Sequence, residues 1–378
     1  MILLIASALS LVIWLYLVGG HGNFWRSDQK IMGAADVPQW PQITAVIPAR
    51  NEVETIGMTV SSLLEQDYPG PFDIIVVDDN SDDGTAQALG CSDRLKLISG
   101  KPIAAGWSGK LWAVSQGINH AEQAFPESKY LLLTDADIEH HPLCLRELVS
   151  KAETENLGLV SLMVKLRCQS LWEQLLIPAF IFFFQKLYPF PRVNDAGRKE
   201  AAAAGGCMLV EMSSLKAGGG IEAIRERLID DCALAALIKP HKGIWLGLSE
   251  NTRSLRAYES LSEIWNMVAR TAFVQLNHST LALFGAVLGM CVIYLIPPIA
   301  VIYGLISGQI LVASTGGVAW LLMVVAFSPT LRLYQQNVLS GLLLPVAGFL
   351  YTLMTISSAL RHWKGRGGAW KGRSYPSG

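Results

Sequence analysis

Leu131-Leu132-Leu133-Thr134-Asp135-Ala136-Asp137 is an apolar run that stops at two carboxylates one residue apart. A strand buried on both faces needs such a continuous apolar run. Acids at the carboxyl end of a strand point into the crevice where α/β sheets bind ligands. Extended backbone has a side-chain period of two, so Asp135 and Asp137 are expected on one side. A pair of this kind can hold a hard divalent cation, which in turn holds phosphate oxygens. The bland alternative is a solvated strand end that caps the next helix.

Upstream the pattern repeats. Ile43-Thr44-Ala45-Val46-Ile47-Pro48 reads as a β-branched strand, Ala49-Arg50-Asn51-Glu52 as a polar turn, and Glu54 to Gln66 as a helix. Phe72 to Val77 is a second buried strand, ending in Asp78-Asp79-Asn80-Ser81-Asp82-Asp83-Gly84-Thr85, with a helix expected next. Leu95 to Ile98 is a third strand. After the loop Gly106-Trp107-Ser108-Gly109-Lys110 a helix runs to about Glu122. Strands alternating with helices predict an α/β domain, over residues 40–256, with a mostly parallel sheet and right-handed crossovers.

Several residues in this frame are candidates for chemistry. Asp79, at a strand end, can accept hydrogen bonds from a base or a ribose hydroxyl. Capping by Asn80, Ser81 or Asp82 is the alternative, but the run Asp-Asp-x-Ser-x-Asp-Gly-Thr is too particular for capping alone. Lys110 follows Gly109 at a helix start, where backbone N–H groups favour phosphate; a surface lysine is the plainer reading. Asp230-Asp231 sits in an otherwise apolar helix from Leu228 to Ile238. Desolvation there raises a carboxyl pKa toward neutrality and suits Asp231 as a general base, unless the pair only complements the helix N-terminus. His140-His141 contains a possible metal ligand or two solvated histidines. Arg270 can reach a phosphate from a helix at the membrane, or a lipid headgroup.

The totals bound the rest. The chain has 378 residues, 51% hydrophobic and 16% charged, which places part of it in a membrane. A net charge of -1 argues against a nucleic-acid partner. The six cysteines are scattered without a Cys-x-x-Cys pair, which speaks against a zinc site or a disulfide framework and suits a reducing compartment. Residues 1–22 read as a retained transmembrane anchor, with a cleaved signal peptide as the alternative. Arg26 and Lys30 behind it put the following domain in the cytoplasm. Trp172 to Phe190 reads either as an interfacial helix facing a lipid or as a buried core helix. Within residues 280–360 three further apolar segments follow: Leu281 to Ile306, broken by Pro297-Pro298, then Gln309 to Phe327, then Leu342 to Leu360. The basic tail, residues 361–378, is expected in the cytoplasm, which conflicts with three full crossings unless Pro-Pro makes a hairpin or one segment is re-entrant.

Val46-Ile47-Pro48-Ala49-Arg50-Asn51-Glu52, Val77 to Thr85, Thr134-Asp135-Ala136-Asp137 and Asp230-Asp231 together resemble the family 2 glycosyltransferases. The resemblance covers about residues 40 to 250. Gly106 to Ala113 is similar to the membrane-bound, lipid-modifying members, and Leu360 to Arg373 with the overall layout resembles the bacterial hopene-associated glycosyltransferases. The resemblance implies a GT-A, Rossmann-like nucleotide-sugar domain joined to transmembrane helices in the bacterial inner membrane. It implies a sugar moved with inversion from a nucleotide-sugar donor, with a preference for uridine, to a hopanoid or other polyisoprenoid lipid. Pro48, Arg50, Glu52, Asp79, Lys110, Asp135 and Arg270 would hold the donor. Asp137, with Asp135, would bind Mg²⁺ or Mn²⁺, and Asp231 would be the base. The family's usual Glu-Asp pair is Asp230-Asp231 here. Of the processive synthases' Gln/Arg-x-x-Arg-Trp, the stretch Met267 to Thr271 keeps only the arginine. A polysaccharide synthase and a silent scaffold that binds nucleotide sugar are the other readings.

Overall fold

The computed structural model describes residues 1–365 and the backbone of 369–370 and 373–374. Of the basic tail, Arg366, Lys371 and the Arg373 side chain lie outside the described residues. The chain opens with α1 (Ile2–Gly19) and then enters the sheet with β1 (Ile43–Ala49), α2 (Ile56–Leu64), β2 (Phe72–Asp78), β3 (Leu95–Ser99), α3 (Gly109–Ala124) and β4 (Tyr130–Thr134). The short β5 (Ile138–Glu139), α4 (Cys144–Thr154), β6 (Leu159–Lys165), α5 (Leu171–Leu187) and α6 (Phe190–Val193) follow. Next come β7 (Cys207–Glu211), α7 (Met212–Ala217), α8 (Asp230–Ile238) and β8 (Ile244–Ser254). The remaining helices are α9 (Leu261–Gln275), α10 (Thr280–Met290), α11 (Ile296–Ile306), α12 (Ile310–Leu333) and α13 (Leu344–Trp363).

Eight strands form one sheet in the order β3-β2-β1-β4-β7-β6-β8-β5. The first four are parallel. Beyond them the sheet is mixed: β7 runs antiparallel to both β4 and β6, β6 and β8 are parallel again, and β5 is antiparallel to β8. Side-chain alternation divides the strands between two cores. Val46, Ile75, Val77, Leu131 and Leu133 pack with α3 on one face, while Ala45, Ile47, Ile74, Val76 and Leu132 pack with α2 and α4 on the other. Gly117 lets α3 dock closely, since a Cβ there would lie 2.4 Å from Val46 Cγ1. No helix separates β2 from β3, where one was expected; turns replace it.

Among the described residues four helices are long and apolar enough to cross a membrane: Ile2–Gly19, Thr280–Ile306, Ile310–Leu333 and Val338–Trp363. The Pro297-Pro298 pair does not make a hairpin. The helix runs through it, with a π-helical turn over Cys291–Leu295 immediately before. Proline removes the N–H that would bond the carbonyl four residues back. In this layer each orphaned carbonyl named here has a replacement donor. Trp14 Nε1 donates to Ile293 O at 2.9 Å, four residues before Pro297. Gln336 Nε2 donates to Gln174 O at 3.1 Å, four before Pro178 of α5. Ser328 Oγ donates to Val325 O at 2.9 Å, four before Pro329 of α12. Where water is excluded, such substitution is what makes an interior proline tolerable. At Gly316 of α12 a Cβ would meet Ala300 Cβ at 2.7 Å and Pro297 O at 2.8 Å, so α11 and α12 touch nearly backbone to backbone.

Helix α5 joins the two parts. Ile177 and Ile181 belong to the sheet core, and Leu176, Ala179 and Phe182 pack with α1, α12 and α13. Protein covers it on opposite sides, so the core-helix alternative describes most of its surface; Leu171, Trp172 and Leu187 remain exposed. Its Glu173 is fully buried. The carboxylate accepts N–H groups of Gln169 at 2.8 Å, Ser170 at 2.9 Å and Tyr258 at 2.7 Å, and pairs with Arg167 at 3.1 Å. Burial pushes the carboxyl pKa up, but these donors outweigh it and hold it below the ordinary value. A depressed folded pKa adds stability that is present above the unfolded value and lost as pH falls through the folded one. Glu173→Gln, which strands buried donors, is therefore expected to cost about 1–3 kcal/mol at neutral pH. Thermal midpoints in detergent should show the gap to wild type closing on acidification; a constant gap would assign the cost to packing instead.

Candidate active site

Because β1, β2 and β4 run parallel, their carboxyl ends share one edge of the sheet, and a cleft opens there. Its walls include Pro48 and Glu52 after β1, Ser108 and Lys110 at the start of α3, and Asp135 and Asp137 after β4. Arg227 and Asp230 come from the approach to α8, Arg256 from the segment after β8, and Arg270 and Thr271 from α9. Asp135 and Asp137 sit in a turn between β4 and β5 rather than in extended strand, so strand periodicity is not what aims them; both nonetheless line the cleft.

Lys110 is the hub of the floor. Its Nζ lies 2.8 Å from Asp135 Oδ1 and 3.2 Å from Asp230 Oδ2. Burial pulls the ammonium pKa down, but Asp135 and Asp230 more than reverse this and keep it charged. Asp231 does not line the cleft. It lies beside the floor, where its Oδ2 accepts Gly205 N–H at 3.0 Å and its Oδ1 accepts Cys232 N–H at 2.7 Å. Burial, and then the charge of Asp230, push the Asp231 carboxyl up to about 6, against the pull of Lys110 and the two N–H donors. Arg256 Nη1 stands 3.7 Å from Asp137 Oδ2, and Leu255 N–H donates to Asp137 O at 2.7 Å, which ties the end of β8 to the turn. Burial works against the Arg256 charge, but Tyr258, Asp137 and Glu52 outweigh it.

The Asp78–Thr85 run braces the loop after β1. Asn51 N–H donates to Ser81 Oγ at 3.0 Å, Glu52 N–H to Thr85 Oγ1 at 2.8 Å, and Val53 N–H to Asp83 Oδ2 at 3.1 Å. Asn51 and Asn80 take positive φ, 52° and 56°, where asparagine is tolerated better than most residues. Asp79 is fully buried, with its backbone N–H on Ala49 O and Arg50 donating to its carbonyl. Arg50 and Asp79 thus stand behind the cleft rather than on its surface. Pro48, Glu52, Lys110, Asp135, Asp137 and Arg270 are the predicted residues that the fold gathers on it. His140 is buried away from the cleft.

Sequence reasoning missed Ser108, Arg227 and Arg256, and gave Asp230 no role of its own. Arg256 closes the soluble stretch directly after a strand, and Arg227 stands three residues before Asp230, but neither position has a pattern that announces a site. With them the lining holds four cations (Lys110, Arg227, Arg256, Arg270) and four carboxylates (Glu52, Asp135, Asp137, Asp230). That balance suits a ligand pair that is itself nearly neutral, such as a diphosphate with a divalent cation.

Residues 44–219 match the family model described as Glycosyl transferase family 2. A 4,4'-diaponeurosporenoate glycosyltransferase of Staphylococcus aureus is 35% identical over 79 residues, 21% of this chain and 20% of that protein. The chain thus aligns with about a fifth of the length of the curated relatives it matches. Among solved structures, a mannosyltransferase of Pyrobaculum calidifontis in complex with GDP-Man and Mn²⁺ aligns with a TM-score of 0.53 and 16% identity, covering 94% of this chain and 99% of that one. This likeness shows a shared GT-A fold. A glucosyl-3-phosphoglycerate synthase of Mycobacterium tuberculosis in complex with UDP aligns with a TM-score of 0.40 and 20% identity, over 66% of this chain and 87% of that one.

Proposed function

We propose, from the match of residues 44–219 to the family 2 glycosyltransferase model, that this chain moves a sugar, with inversion, from a nucleotide-sugar donor to the hydroxyl of a lipid acceptor. The observation that carries this reading is the charge-balanced cleft at the parallel strand ends, walled on one side by α9, which packs against the membrane-type helix α13. The donor would be UDP-linked, and the acceptor a hopanoid or other polyisoprenoid. A relative that acts on a diaponeurosporenoate is consistent with an apolar acceptor of that kind.

Asp135 and Asp137 offer hard carboxylate oxygens to the cleft and already face cations, Lys110 and Arg256, so the donor set fits Mg²⁺ or Mn²⁺. Bound there, such an ion would offset charge developing on the leaving diphosphate. The chain's own residues do the rest. Pro48 and Glu52 hold the nucleoside, with Arg50 and Asp79 bracing them. Lys110 and Arg270 hold the phosphates. Asp231 takes the acceptor's hydroxyl proton as that oxygen bonds the anomeric carbon and the bond from this carbon to the diphosphate breaks. The protein would sit in the inner membrane as a multi-pass chain with the domain on the cytoplasmic face, as Arg26, Lys30 and Arg332 near the junction support.

Membranes carrying the protein, given a panel of radiolabelled nucleotide sugars with Mn²⁺ or with chelator, test this reading. Metal-dependent label in the lipid phase is expected. Label in a long water-soluble glycan would instead establish a processive synthase. Nucleotide binding without transfer, even with added lipid extracts, would leave a scaffold.

A further inference from the structure

Behind the cleft, on the opposite side of the Asp135–Asp137 turn, His140, Cys144 and Cys207 come together. The ligand atoms of the three lie within 4.8 Å of one another. All three are buried, at 3%, 1% and 0% exposure. His140 follows β5, Cys144 is the first residue of α4, and Cys207 opens β7 opposite Thr134 of β4. The scattered cysteines, which argued against a zinc site in the sequence, are therefore assembled by the sheet.

The imidazole has a defined polarity. Thr134 Oγ1 donates to Gly206 O at 2.8 Å, with Asp135 O at 3.4 Å as a second acceptor, so its lone pair is left to accept from His140 Nε2–H at 2.9 Å. That leaves His140 Nδ1 as the basic nitrogen, and it is buried without a hydrogen-bond partner. An orphaned buried acceptor of this kind costs free energy unless something fills it. A histidine that donates one ring N–H to a neighbour and turns the other nitrogen to two sulfurs has the outer-shell arrangement of a metal ligand.

We infer that His140 Nδ1, Cys144 Sγ and Cys207 Sγ form a site for a thiophilic cation, Zn²⁺ foremost, that pins the Asp135–Asp137 turn from behind. As the two thiols give up their protons the thiolates cancel the charge of Zn²⁺, which lowers the cost of burying it, and the fourth position falls to a bound water or hydroxide. Bonds of about 2.3 Å to sulfur in a tetrahedron set ligand atoms roughly 3.7 Å apart. The observed spacing of no more than 4.8 Å has to contract by up to about 1 Å on binding. This site is separate from the hard-oxygen site in the cleft, and soft and hard ligands sort the cations between them.

The test uses the full chain in detergent, purified without a polyhistidine tag and passed through gel filtration. Mass spectrometry of the metals should find about one zinc per chain, falling at least tenfold in a C144S/C207S double variant and clearly in His140→Gln. Since core variants can misfold, cobalt-loaded wild type supplies a second readout. It should show a thiolate-to-cobalt charge-transfer band, kept in C91S, whose cysteine is exposed, and lost in C207S. A wild-type chain that holds no zinc and gives no such band would overturn the site. So would zinc content that survives C207S, or a Cys144–Cys207 disulfide found under non-reducing conditions.

Discussion

On the function proposed above, Asp231→Asn is expected to leave nucleotide binding intact and to lower sugar transfer by about 10²–10⁴-fold, the range general-base help supplies. The wild-type carboxyl, raised to about 6, is ionised and able to take a proton above that pH. Transfer by the wild-type protein should therefore fall about tenfold per unit as pH drops below about 6. Asparagine fills the same space, and its carbonyl can accept one of the two N–H groups, of Gly205 or of Cys232, while its amide faces the other. The neighbour provides the control. Asp230 contributes to raising the Asp231 pKa, so Asp230→Asn should move the acidic limb of the pH–rate profile below 6 while transfer persists. Measured kcat/KM against pH for both variants decides between them. If Asp230→Asn abolishes transfer and Asp231→Asn retains the limb, the base is the cleft-lining Asp230.

Lys110→Met carries the second large effect. Its ammonium is the cation shared by Asp135 and Asp230, and it also lowers the Asp231 pKa. Without it three carboxylates face one another. An opposite charge at this range typically shifts a carboxyl by about 1–3 units, so the Asp231 limb should rise well above 6 and transfer at pH 7 should drop about tenfold or more. Raising the pH should recover part of kcat, while the donor KM stays high because a phosphate-facing cation is gone. A KM effect alone, with the limb still near 6, would make Lys110 a phosphate ligand with no part in tuning the base.

What could be read from the chain alone was what its local periodicity encodes. Ile43 to Pro48, Phe72 to Val77 and Leu131 to Leu133 are continuous apolar runs, and the four-stranded parallel half of the sheet follows from them. The mixed half does not, because β7 reaches its antiparallel place between β4 and β6 by pairings far apart in sequence, such as Thr134 with Cys207. The helix expected after Thr85 fails for a definite reason. Ser81, Asp83 and Thr85 spend their side chains on the backbone of residues 51–53, and that brace competes with a helix. The acidic parts of the site stood out because paired aspartates in apolar surroundings are conspicuous. Arg227 and Arg256 did not, since single arginines in loops carry no period, and only the folded chain brings Arg256 to Asp137 and Arg227 to the cleft.

The indole of Trp14 has a bearing on how the protein is made. The carbonyl it serves, Ile293 O, is synthesised 279 positions after it. Ser7, whose hydroxyl lies 2.8 Å from Thr315 Oγ1, has a still longer interval. Between those moments the whole α/β domain is translated. Helix α1 therefore cannot reach its final packing when it is made. It has to stay available until the helices after residue 280 arrive, and a chain stopped before residue 293 would leave the buried Trp14 without its partner.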